Sequence, residues 1–205
     1  MHLRVITIRN GRNNGKNFRD LLENLGSIAS SMMDAQEHLH DLTITADHER
    51  GLIENVFFWK SAEALVENSK LNENQVDAEG RPVRHLFEAI DGWQVVEVLQ
   101  EATAEFVKTP AVGSAVHVRR LALLSSGVDD YVRYLRGEVI PRCMASGGFV
   151  GARLAADLGR ICGLALVYLY WEDEAAMKKG VAQEKVHEAA HPARILEETF
   201  REVYA

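Results

Sequence analysis

Hydrophobic positions along the chain fall into two periods. Leu3 to Ile8 (LRVITI) is a short β-rich run, and Asp41 to Ala46 (DLTITA) alternates apolar and polar residues as a half-buried strand does. Between them Phe18, Leu21, Leu22, Leu25, Ile28, Ala29 and Met32 recur at three- and four-residue spacing, which marks an amphipathic helix. Asp47 to Gly51 reads as a hairpin loop into a strand Leu52–Trp59, and Ser61 starts a helix to about Asn68. Ser69 to Gly80 reads as a polar, mobile insertion, Pro82 to Ile90 as a short helical turn, and Trp93 to Leu99 as a closing strand.

The order then starts again. Val118 to Leu124 reads as a strand, Ser125 to Gly127 as a turn, and a helix from about Asp129 carries Tyr131, Tyr134, Leu135, Val139 and Ile140 on one face. Phe149 to Leu154 and Leu164 to Trp171 follow as strands, and Asp173 starts the next helix. GLIENVFFW (Gly51 to Trp59) and GLALVYLYW (Gly163 to Trp171) share a layout 112 residues apart, each followed by a capping residue, Ser61 or Asp173. Pro82 to Glu88 and Pro192 to Glu198 share P-x-R-x-L-x-E at an offset of 110. These matches predict an α+β fold of two tandem ferredoxin-like β-α-β-β-α-β repeats, 1–101 and 116–205, joined by a linker 102–115 that carries Pro110 and Gly113.

Such a repeat exposes one sheet face that it must cover, so the two antiparallel sheets are expected to face each other as an α+β barrel. The strands ending at Trp59 and Trp171, their capped helices, and Ala189-Ala190-His191-Pro192 resemble the dimeric α+β barrel superfamily. Within it they look like the antibiotic-biosynthesis and haem-degrading monooxygenase branch. The resemblance implies a small-molecule-binding barrel, its first reading being a cofactor-independent monooxygenase for an aromatic or polyketide-like compound. The alternatives are a non-catalytic ligand-binding or structural module and a haem or metal protein using His191. His191 falls where haem-degrading members place an iron-ligating His, whereas the first half has Arg81 there. The Asn on the first strand and the second Trp in the helix of those members have no counterpart at Val118 or after Asp173, so the expectation is no cofactor.

Charge and composition narrow the partners. A net charge of −7 over 205 residues argues against broad phosphate-backbone binding, so no nucleic-acid partner is expected. The longest apolar run, Leu164 to Trp171, is too short to span a bilayer, and MHLRVITIRN lacks an export signal's apolar core. The expectation is a cytoplasmic protein with two free thiols, Cys143 and Cys162, no membrane partner, and a monomeric pseudo-dimer or a homodimer.

His187-Glu188-Ala189-Ala190-His191 matches HExxH, a zinc-binding spacing, but Pro192 ends that helix at once, so it reads as a polar helix end with no metal. The candidate site is a second-half pocket in which His187 and His191 supply a base, and Tyr131, Tyr134 and Trp171 form the wall. Arg194, after Pro192 at the start of a short helix, is the candidate for recognising an anionic group. His38, His40, His48 and His117 are scattered and read as solvated.

Overall fold

A computed structural model describes residues 2–9, 15–35, 37–71, 94–123, 127–156, 163–185 and 193–204. The chain divides into two compact units, Met1–Val98 with Tyr204–Ala205, and Leu99–Val203.

Unit 1 contains β1 (His2–Arg9), α1 (Gly15–Ala35), β2 (Leu39–Asp47), β3 (Leu52–Trp59), α2 (Ala62–Leu71) and the first residues of β4 (Gln94–Phe106). β3 lies between β1 and β2, antiparallel to both, with Val5 opposite Val56 and Ile44 opposite Asn55. Side chains alternate across a strand, so Ile44, Ala46 and Ile53 share one face. They meet Phe18, Leu22 and Leu25, which the 3.6-residue period puts on one side of α1. Trp59 closes a second cluster with Leu39, Ala64 and Leu65. The β2–β3 turn is held by Asp47, whose Oδ1 accepts from the Arg50 N–H at 2.9 Å, and ends on Gly51 at φ 60°, where a Cβ would be strained. Tyr204, like Leu42 and Phe57, packs against the Phe18–Ile53 cluster, and its N–H donates to the Ile44 carbonyl at 2.8 Å.

Unit 2 contains the rest of β4, then β5 (Ala115–Ala122), α3 (Gly127–Tyr134), a π-helical turn (Leu135–Val139), α4 (Ile140–Ser146), β6 (Phe149–Ala156), β7 (Leu164–Trp171), α5 (Glu174–Lys185) and β8 (Arg194–Val203). Its strands run in the order β8-β5-β7-β6-β4, each antiparallel to its neighbour. β7 is buried on both faces from Ala165 to Trp171, which is why its sequence is an unbroken apolar run. Ala165, Val167, Leu169 and Trp171 face the helices and join Tyr131, Leu135, Val139, Cys143, Met177 and Val181 in one core.

Both expected caps are present. The Ala64 N–H donates to Ser61 Oγ at 3.2 Å, and the Ala176 N–H donates to Asp173 Oδ1 at 2.8 Å. Leu52–Trp59 and Leu164–Trp171 match the expected strands residue for residue.

Three expectations need correction or lie elsewhere. The stretch expected as a linker is strand as far as Phe106, because Gln100 to Phe106 find a ladder partner in β6. The segment expected to be a short helix at Arg194 is β8, because its backbone pairs along the whole of β5, and ladder hydrogen bonds outweigh the local Pro signal. The other copy of that motif, Pro82 to Glu88, lies outside the described residues, as do the HExxH residues His187 to His191 and Cys162.

Candidate active site

β5 carries the centre of the site. Val116 and Val118 lie on one face, while Ala115, His117, Arg119 and Leu121 lie on the face that α5 covers. Two polar side chains thus stand in the middle of an apolar surface. His117 is 0% exposed and Arg119 2% exposed, which corrects the expectation that His117 is solvated. Its flanking valines give no amphipathic contrast, so only the pairing of β5 between β7 and β8 reveals the burial.

Their partners come from two other elements. On α5, Met177, Val181 and Glu184 stand at helical spacing on the buried face, and Glu184 is 2% exposed. Glu184 Oε2 lies 2.7 Å from Arg119 Nη2. On β8, Glu198 stands opposite Arg119 in the ladder, and its Oε1 lies 3.2 Å from Arg119 Nε and 2.9 Å from His117 Nε2. A carboxylate can only accept, so Nε2 carries the proton of the neutral ring. Nδ1 is buried and has no hydrogen-bond partner among the described residues. Burial pushes the His117 pKa below the usual imidazole value; the Glu198 hydrogen bond opposes this and Arg119 adds to it. Phe200 lies parallel to the imidazole, with ring centroids 4.9 Å apart.

Cys143 of α4 is buried in the adjoining core. Burial, aided by Glu184, pushes its thiol up to about 12, so it is protonated at neutral pH.

The expected wall residues are partly assembled here. Tyr131 and Trp171 are buried in the unit 2 core, and Tyr134 packs against it with its ring 5.9 Å from that of Tyr131. The Tyr134 hydroxyl accepts from Arg142 Nη2 at 3.3 Å. Trp171 meets Phe149 edge-on at 5.2 Å, and the outer end of its benzo ring sits against Gly180. Arg194 stands apart, exposed at the start of β8 opposite Ala122. The sequence signals that could have found Arg119 and Glu184 are the H-x-R alternation in β5 and the register Met177, Val181, Glu184 in α5.

No protein-family model and no curated protein matches the chain. Solved structures do. A candidate monooxygenase from Lactobacillus acidophilus superposes at TM-score 0.65 with 9% identity, over 98% of this chain and 92% of that one. An anthrone oxidase-like protein superposes at 0.62 with 14% identity, over 100% and 92%. The fold is that of the dimeric α+β barrel proteins. A haem-binding protein from Thermus thermophilus shares it at TM-score 0.59 with 12% identity, over 98% of this chain and 90% of that one. That likeness overturns the expectation of a cofactor-free protein, because a protein of this same fold binds haem. No helix among the described residues is long and apolar enough to cross a membrane.

Proposed function

We propose that the chain is a small-molecule-binding α+β barrel protein of the monooxygenase-like kind, with its site on the helix-covered face of unit 2 and haem as its cofactor. The observation that carries this reading is His117, a wholly buried imidazole set against a buried Arg119–Glu184 ion pair. Burying such groups is unfavourable unless they are well paired, and perturbed clusters of this kind concentrate at functional sites.

The donor set fits haem iron. Burial keeps the ring neutral, Glu198 holds the Nε2 proton, and Nδ1 presents a bare lone pair with no partner among the described residues. A carboxylate on one ring nitrogen and a free lone pair on the other is the arrangement that orients imidazoles toward metals. Haem bound there would supply oxygen chemistry that protein side chains lack. His117 is the proposed iron ligand, and Glu198 orients it. Tyr134, at the edge of the unit 2 core, is the proposed wall for an aromatic or polyketide-like compound, with Tyr131 and Trp171 packed behind it. His191 is the competing ligand and His187 the competing base.

Titrating hemin into the purified protein tests this. The expected result is a saturable Soret band at one hemin per chain, weakened at least tenfold by His117→Ala and unchanged by His191→Ala. Absence of a saturable band overturns haem binding, and loss with His191→Ala alone overturns the assignment to His117.

A further inference from the structure

On its β8 side His117 lies beneath the ring of Phe200. Phe200 stands directly opposite it in the β5–β8 ladder, stacked at 4.9 Å with an interplanar angle of 16°. The covering phenyl ring is 43% exposed, while the imidazole beneath it is 0% exposed. This inverts the usual order, in which the apolar ring is inside and the polar ring is wet. Glu198 and Glu202, two positions either side of Phe200 on the same face of β8, also reach solvent. The phenyl ring is thus only partly packed, and exposed side chains change rotamer in picoseconds to nanoseconds. Glu198, by contrast, is tied to both His117 and Arg119 and stays in place when the ring leaves.

We infer that Phe200 is a displaceable cover of His117, and that its departure opens a slot one ring thick for a planar conjugated ligand stacked on the imidazole. The slot has the imidazole as one wall and the Glu198 carboxylate at its rim. It therefore favours a flat molecule that carries an O–H or N–H donor at its edge, which Glu198 accepts. The slot lies on the face of the imidazole, whereas a haem iron would bind at its Nδ1 edge, so this inference rests on the placement of a ligand site beside His117 but not on haem.

Carbethoxylation of histidines by diethyl pyrocarbonate, read by peptide mass spectrometry on the protein without ligand, tests the cover. The exposed His38 and His40 are internal references. In the native protein His117 should react at least tenfold more slowly than either. Phe200→Ala should raise the His117 rate at least tenfold relative to those references, and Phe200→Trp, which keeps a flat cover, should not. A global loss of structure in Phe200→Ala would raise all histidines together; Phe200→Leu then gives the reading, with His117 accelerated alone. The cover is overturned if His117 already reacts like His38 in the native protein. It is equally overturned if neither Phe200→Ala nor Phe200→Leu accelerates it selectively, or if Phe200→Trp accelerates it as much. Hemin association measured in parallel separates the two readings. Selective acceleration without hemin binding keeps the cover and removes haem. Hemin binding at equal rates in the native protein and Phe200→Ala, with carbethoxylation unchanged, keeps haem and removes the cover.

Discussion

Replacing Glu184 by Leu strips one carboxylate from a pair in which both side chains are 2% exposed and the charged atoms are 2.7 Å apart. At an effective dielectric of about 20, two unit charges at that distance attract by about 6 kcal/mol. Removing both from water is unfavourable by several kcal/mol each, so the intact pair is close to neutral for stability. Breaking it is different, because Arg119 is left buried with a charge. Single removals of this kind are unfavourable by about 3–5 kcal/mol. Glu198 still reaches Arg119 Nε at 3.2 Å, which puts the expected loss near the lower end, about 3 kcal/mol. The double variant Arg119→Met with Glu184→Leu removes both charges and keeps the volume, and should lie within about 1 kcal/mol of the native protein. Urea unfolding at neutral pH, followed by circular dichroism and tryptophan fluorescence, measures all four corners of the cycle. With each single removal losing about 3 kcal/mol and the double variant about 1 kcal/mol, the expected coupling is about 5 kcal/mol. A Glu184→Leu variant losing less than about 1 kcal/mol, or a double variant losing the sum of the singles, would falsify the buried-pair account. If the pair is kept for ligand binding, the double variant will fold yet bind hemin poorly.

Gly180→Ala should destabilise despite the helix propensity that alanine adds. A Cβ there would sit 2.5 Å from Trp171 Cζ3 and 2.6 Å from Cζ2, closer still to Cη2, and Trp171 is 0% exposed and cannot retreat. Overpacking of about 1–3 kcal/mol should exceed the gain of up to about 1 kcal/mol, and a raised unfolding midpoint would refute this. Asp173→Ala should lose about 1 kcal/mol through the 2.8 Å cap to Ala176, and Ser61→Ala less through its longer 3.2 Å bond, as compared by urea midpoints.

Much of the architecture was legible before any coordinates, because it rests on local rules. Leu164 to Trp171 reads as a strand because a central strand buries both faces, and Ser61 and Asp173 read as caps because a free helix N-terminus needs an acceptor. Tyr131, Tyr134 and Trp171, expected as a pocket wall, meet at one core. Arg194 was misread because its surroundings are not local: a Pro-x-Arg stretch looks like a helix start until β5 offers its backbone a ladder. His117 was misread for a related reason. Nothing in VHVRR distinguishes an imidazole in water from one buried beneath a helix, since strand alternation assigns a face but not what covers it. Its burial depends on Glu184, Glu198 and Phe200, all far along the chain, with Glu198 81 residues on. Local spacing determined which elements form; only their packing decided that a histidine, an arginine and two glutamates meet out of water, because the free energy that makes such a meeting tolerable exists only once all four are paired.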